Sequence, residues 1–158
     1  MEFYNNSQYK GSIENKKTLI LDKIIGDVDS TFTEPLIEPL KIDAVTDVYL
    51  DSFTTFDCQH SDSADEAGFL LTINEFNSSV ATNNPKFSNA IFIPNEQTDS
   101  TDNKGKIHKS KKFNYVGYLL PQNIHSLTGS ITDLSGSNKM SKDEHFRFIA
   151  EFILITRE

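Results

Sequence analysis

The chain has 158 residues, of which 37% are hydrophobic, and a formal net charge of −8 at pH 7. This length suits one domain with a single core, and the acidic balance disfavours general nucleic-acid binding. Cys58 is the only cysteine, which excludes an intrachain disulfide.

The N-terminal segment lacks the apolar stretch of a secretory signal peptide. We therefore expect a protein that is made in the cell interior and is not secreted through such a signal. The longest fully apolar run, residues 152–155, is far shorter than the roughly 20 residues that a membrane-spanning helix needs. We expect no membrane insertion.

Residues 1–16 are polar and contain Phe3, Tyr4 and Tyr9 among many Asn and Ser residues. This composition predicts a flexible N-terminal arm that stays loose or lies on a neighbouring subunit. The folded domain is expected to occupy residues 17–158.

The domain opens with a predicted strand over residues 17–25, and a second extended segment follows at residues 30–42. Pro35 and Pro39 interrupt this second segment, and proline cannot donate a hydrogen bond to a neighbouring strand. We therefore expect either an edge strand here or a loop that crosses the end of a sheet.

Several later segments are rich in β-branched and aromatic residues, and most alternate apolar with polar side chains, the pattern of half-buried strands. They are residues 44–56, 69–76, 90–94, 113–121 and 126–132. Polar loops separate them, and the longest of these loops is expected at residues 95–112. Together with the final strand this makes about eight strands, so we predict an all-β protein built as an antiparallel β-sandwich or barrel, and we favour the sandwich.

The final strand, HFRFIAEFILITRE, is apolar on both of its faces. One face is predicted to point into the core together with Phe69, Leu71 and Ile73. The residues of this inward face are Phe146, Phe148, Phe152 and Leu154.

The other face of the final strand carries three isoleucines and two charged residues: Ile149, Ile153, Ile155, Arg147 and Glu151. An apolar outward face indicates that something else shields it from water, which we call its cover. That cover is either a loop or arm of the same chain or a neighbouring subunit. On the second possibility, these five residues are the candidate subunit interface.

A basic run forms the candidate contact loop at residues 104–112. Five of the fifteen Lys and Arg residues fall within it: Lys104, Lys106, Lys109, Lys111 and Lys112. Such a run is solvated charge, a contact for nucleic-acid phosphates, or a docking element for an acidic surface of another subunit. No aromatic residue is interleaved, which disfavours stacking on bases. We favour the first and third interpretations, and nucleic-acid contact is considered through this run alone.

Residues with catalytic or metal-binding potential are few. Cys58 and His60 lie two apart in an acidic loop but lack the second pair of ligands that a structural zinc site needs. A calcium loop that began at Asp99 would require Gly and Glu where the chain has Lys104 and Ser110. The motifs G-x-S-x-G and H-E-x-x-H and a Gly-rich phosphate loop are absent from the sequence. We predict no enzymatic activity, no metal site and no cofactor.

The order of the strands carries a family resemblance. The segments DVYLDSFTTF, GFLLTINEF, AIFIP, FNYVGYLLP and FRFIAEFILI follow one another, with the long loop before the fourth. In this order and loop placement the chain resembles the single jelly-roll minor capsid and penton proteins of large icosahedral double-stranded DNA viruses and their virophages. The resemblance covers about residues 17–158.

The resemblance implies a single jelly roll of two facing four-stranded sheets, a place in the virion and no enzymatic activity. It implies a homo-oligomer, with a pentamer favoured, and neighbouring capsid proteins as partners. The alternative is a β-sandwich module that binds carbohydrate or a protein receptor through its loops, although the chain has no Trp and most Phe and Tyr fall on strands. A metal enzyme on a cupin-like jelly roll fits poorly, because the four histidines are scattered.

Overall fold

The computed structural model describes residues 15–25, 30–56, 68–78, 80–94, 106–108, 114–136 and 146–157. Most of these residues lie in strands: β1 (Lys16–Ile25), β2 (Thr31–Ile42), β3 (Thr46–Phe56), β4 (Gly68–Ile73), β5 (Ile91–Pro94), β6 (Lys106–His108), β7 (Asn114–Leu119), β8 (Gln122–Thr132) and β9 (Phe146–Thr156). One turn of 3-10 helix, Pro85–Phe87, lies between β4 and β5. The predicted all-β class is confirmed.

The strands form two antiparallel sheets. The first sheet has the order β1, β9, β3, with β6 and β7 sharing the place beside β3, and the second has the order β2, β8, β4, β5. The pairing is nested, because β1 pairs with β9, β2 with β8, β3 with β7, and β4 with β5. A long hairpin that rolls up on itself gives this nesting, so the fold is the expected single jelly roll.

The proline-containing segment is one continuous strand, β2, at the edge of the second sheet. Its register with β8 shifts between Pro35 and Leu40. Prolines are tolerated at this position because the free side of an edge strand makes no ladder hydrogen bonds.

The long polar segment at residues 95–112 was predicted to be a loop, but it is not entirely one. Lys106, which was assigned to the candidate contact loop, lies in a strand. Residues Lys106–His108 form β6 and pair antiparallel with the second half of β3. The pairing of β7 with β3 ends at Asn114, opposite Leu50. The rest of the β3 edge therefore needs another partner for its backbone groups, and β6 supplies one. Residues 1–14 of the predicted arm 1–16 lie outside the described residues, and β1 begins at Lys16, the last residue of that arm. Four lysines of the candidate contact loop also lie outside the described residues: Lys104, Lys109, Lys111 and Lys112.

Phenylalanine rings join the two sheets across the core. The rings of Phe148 and Phe53 stack with centroids 5.7 Å apart, and the ring of Phe32 from the second sheet lies 5.9 Å from that of Phe148. All the residues predicted to face inward are buried: Phe69, Leu71, Ile73, Phe146, Phe148, Phe152 and Leu154. The inward facing of the final strand is confirmed.

Replacing Phe148 with Ala should lower the free energy of unfolding by about 3–5 kcal/mol, because it removes a fully buried ring and leaves a cavity. The matched control is Phe92→Ala, since Phe92 is 47% exposed and its truncation should cost much less. Urea unfolding of both variants measures the difference. Equal losses would show that the ring of Phe148 does not fill the core.

Candidate interaction surface

The outward side of the first sheet carries all five residues of the predicted interface. Successive side chains of a strand point to opposite sides, and alternate residues of β9 from Phe146 onward are buried. The intervening residues therefore point outward: Arg147, Ile149, Glu151, Ile153 and Ile155. Because β9 lies between β1 and β3, these side chains occupy the middle of the surface.

Two isoleucines of β1 extend this surface and were not singled out from the sequence. Ile20 lies opposite Glu151, and Ile24 lies opposite Arg147. They are 58% and 57% exposed, whereas the isoleucines of β9 are half-buried. We call these five isoleucines of β1 and β9 the isoleucine face. Alternation within residues 16–25 was the sequence signal that could have found Ile20 and Ile24.

Three tyrosines continue the same outward side on β3 and β7, and we call them the tyrosine corner. Gly117 pairs with Val48 and Tyr115 with Tyr49, so Val116 is an extra residue in β7. This bulge lets Tyr115 and Tyr118, three positions apart, both point outward. The rings of Tyr49 and Tyr115 meet edge to face at 5.6 Å.

Gly117 allows the close approach on which this arrangement depends. A Cβ at this position would lie 2.3 Å from the carbonyl oxygen of Asn77. Asn77 and Tyr118 exchange two backbone hydrogen bonds of 2.8 and 2.9 Å. The glycine was visible in the sequence, but its partner is distant along the chain, so sequence reasoning missed the tyrosine corner.

The two arginines of this side are paired with carboxylates of the same chain. Arg147 donates from Nε to Oδ1 of Asp22 at 2.8 Å and from Nη2 to Oδ2 at 2.5 Å. Its guanidinium also lies 5.5 Å from the centroid of the Phe56 ring. The hydrogen bond from Arg147 holds the pKa of Asp22 below its usual value, although partial burial opposes this effect.

Arg157 makes a similar set of contacts at the tyrosine corner. Its Nε and Nη2 donate to Oδ1 of Asp47 at 2.9 and 2.7 Å, and its guanidinium lies 5.6 Å from the centroid of the Tyr118 ring. The hydrogen bond to Asp47 raises the pKa of Arg157 above its usual value. Both arginines are therefore held in place before any partner arrives.

Glu151 differs from the other charged residues of this surface. Its carboxylate accepts a long hydrogen bond of 3.5 Å from the hydroxyl of Ser52. Its neighbours on the outward side are Ile20 and Ser52 on the two adjoining strands and Ile149 and Ile153 on its own strand. Within the described ranges, no basic side chain forms an ion pair with it.

The outward side of the second sheet is polar by comparison. Thr31, Ser130 and Thr72 form one row across β2, β8 and β4, and Thr33 lies opposite Thr128 in the next. Short hydroxyl side chains of this kind are readily hydrated. The sandwich therefore presents water with one hydroxyl-rich side and one side of isoleucine and tyrosine.

The described part of the chain offers little that would support catalysis or metal binding. It holds no group of three or more His, Cys, Asp or Glu side chains placed to bind a metal ion. A pocket of about 230 Å³ opens beside the start of β1. The ammonium group of Lys17 at this pocket is already engaged, because it donates a hydrogen bond to the backbone carbonyl of Lys41. Cys58, His60 and residues 99–105 lie outside the described ranges.

Among the described residues, no helix has the length and apolarity to cross a membrane.

The ion pair between Arg147 and Asp22 should make stability depend on acid pH. The folded-state pKa of Asp22 lies below the usual 3.8, so its carboxylate favours folding above that pH and loses this effect as the pH falls through the folded-state pKa. We expect Asp22→Asn to be slightly less stable than the wild type at neutral pH, because both partners are more than two-fifths exposed. The difference should shrink as the pH falls below 3.8 and disappear once the pH is below the folded-state pKa of Asp22.

Urea unfolding at a series of pH values measures this effect. The control is Asp43→Asn, because Asp43 and Lys41 are 3.7 Å apart and about three-quarters exposed, and this change should alter stability little at neutral pH. A stability difference for Asp22→Asn that grows in acid would contradict the assigned pairing.

Comparison with known proteins adds no relative. No protein-family model, no curated protein and no solved structure matches the chain. The resemblance to viral capsid proteins therefore stays a prediction, and the argument for function rests on the geometry of the outward surfaces.

Proposed function

We propose that the protein is a structural capsid subunit, a penton or other minor capsid protein, that assembles through the outward side of its first sheet. The observation that carries the proposal is the outward surface of isoleucine and tyrosine side chains made by the isoleucine face and the tyrosine corner. Protein interfaces are enriched in tyrosine and arginine and have few unpaired charges at their centre. This surface has that composition, and among the described residues Glu151 stands near its middle without an ion-pair partner.

The internal pairing of the arginines supports burial of this surface. Removing an unpaired charge from water is costly, whereas a charge that already has its hydrogen-bonded partner is buried more easily. Arg147 and Arg157 each bring a carboxylate of the same chain. A neighbouring subunit can therefore cover them without supplying counter-ions, and the isoleucines contribute the apolar area.

The fold is compatible with this role without deciding it. Jelly rolls serve as viral capsid domains, as lectins and as cupins, so the function must come from the surfaces. The resemblance in strand order adds the virion as location, neighbouring capsid proteins as partners and a pentamer as the favoured assembly. Rings of this kind arise when one surface patch binds a different patch on the next copy. Catalysis and cofactors have no part in the proposal.

The tyrosine corner favours a second candidate, a ligand-binding module for carbohydrate or a protein receptor. Tyr115 is 40% exposed and its hydroxyl lies 3.5 Å from Nη2 of Arg157. Aromatic rings beside a charged side chain suit the apolar faces and hydroxyl groups of sugars. A strictly monomeric protein that binds a sugar saturably would support this candidate over the capsid role.

Changing Ile153 to Glu tests whether a neighbouring subunit or a segment of the same chain covers the isoleucine face. Ile153 is half-buried and points away from the core, so under neighbour cover the variant should keep its melting temperature and fail to assemble. Under cover by the same chain it should instead lose several degrees of melting temperature. Light scattering and thermal unfolding measure the two effects.

The matched control is Ile37→Glu, since Ile37 is fully exposed on β2 and its replacement should affect neither property. An Ile153→Glu variant that folds and assembles like the wild type would contradict both kinds of cover.

A further inference from the structure

The unpaired Glu151 restricts which surface can cover the isoleucine face. It lies among Ile20, Ile149 and Ile153 near the middle of the face. If two copies met through this same face about a two-fold axis, their Glu151 carboxylates would be brought together in an apolar setting. Like charges in such a contact cost several kcal/mol. A covering surface that differs from the isoleucine face and carries a positive charge avoids this cost.

A second apolar patch lies on the opposite side of the sandwich, where the connection between β4 and β5 folds over the second sheet. Leu70 alternates with the inward Phe69 and Leu71 and so points outward, yet it is only 3% exposed. Its partner across the strand pair is Phe92, which is 47% exposed. The ring of Phe87 packs edge to face on that of Phe92 at 6.1 Å.

The 3-10 turn places a lysine in this patch. Lys86 is exposed between Pro85 and Phe87, and its Cδ is 4.0 Å from where a Cβ on Gly136 would be. None of the carboxylates that the structure describes pairs with it. We call Pro85, Lys86, Phe87 and Phe92 the turn patch, an apolar patch with one unpaired positive charge.

The backbone of the turn is held by its own hydrogen bonds. The side chain of Asn84 accepts from the amide of Lys86 at 3.0 Å, and the amides of Ser88 and Ala90 donate to the carbonyls of Pro85 and Phe87 at 3.2 and 3.1 Å. A segment that is already ordered loses little conformational entropy when it binds. The turn patch is therefore suited to docking.

We propose that the isoleucine face of one copy binds the turn patch of a second copy, with Glu151 paired to Lys86 of the partner subunit. This inference rests on the proposed function, because it names the partner that the assembly surface takes. The two patches are complementary in charge, one bearing an unpaired carboxylate and the other an unpaired ammonium. They lie on opposite sides of one sandwich, so each copy offers both and the contact repeats from copy to copy.

Charge exchange between the two patches tests this pairing. The variants E151K and K86E each place like charges in the contact and should weaken assembly of the full chain more than about tenfold. The double variant E151K/K86E restores opposite charges and should assemble again. An equimolar mixture of the two single variants should assemble as well, because each variant supplies the surface that matches the other.

The number of copies in the assembly formed by the mixture gives a further readout, because the two variants must alternate along the repeated contact. Alternation closes a ring only with an even number of copies, so a wild-type pentamer should not re-form from the mixture. K41E is the control for added negative charge, because Lys41 is largely exposed and belongs to neither patch, and it should assemble like the wild type. Circular dichroism and thermal unfolding establish that each variant is folded, and sedimentation velocity measures assembly.

The outcomes separate this inference from the proposed function. If the wild type assembles and Ile153→Glu does not, while E151K and K86E assemble normally, the isoleucine face is the interface and the turn patch is not its partner. If both single variants fail to assemble and neither the double variant nor the mixture recovers, the direct pairing is wrong. A wild-type chain that stays monomeric would overturn both proposals.

Discussion

The pairing of β9 with β1 on one side and β3 on the other is the constraint from which the rest of the structure follows. It joins the last strand to the first and to the middle of the chain, in antiparallel register along nearly its whole length. A slip of one residue would exchange the two faces of the strand. The register that sends Phe146, Phe148 and Phe152 into the core therefore also sends Ile149, Glu151 and Ile153 outward. The core and the candidate interface are set by the same pairing.

The two outward sides of the sandwich follow from their strands in the same way. On the second sheet, β2, β4 and β8 place Thr and Ser outward, while Leu70 also points outward but is buried beside Phe92. On the first sheet, β1, β3 and β9 place isoleucine and tyrosine outward with their arginines already paired. A molecule with this asymmetry has one side rich in hydroxyl groups and one side of isoleucine and tyrosine that suits a partner. The capsid proposal derives from this difference, and the inferred contact adds the turn patch, a small apolar area on the otherwise hydroxyl-rich side.

Much of the fold was predictable because the signal is local. Alternation along residues 146–154 was enough to place the phenylalanines inward and the isoleucines outward, and the nested order of eight strand positions agrees with the predicted jelly roll. What escaped prediction depends on contacts between distant segments. β6 forms because the second half of β3 has a free edge, and the tyrosine corner exists because Gly117 lies against the backbone of Asn77. Leu70 alternates with inward residues and so has the pattern of an exposed position, yet the structure buries it beside Phe92 of β5.

The mass of the unmodified chain in solution, measured by sedimentation velocity over a range of concentrations, tests the central claim that another copy covers the isoleucine face. The account predicts that the 17.8-kDa chain associates as its concentration rises. A repeated contact that closes should give a species with a fixed number of copies, with a pentamer favoured, and one that does not close should give open chains of increasing length. A chain that remains a 17.8-kDa monomer at every concentration would contradict the account.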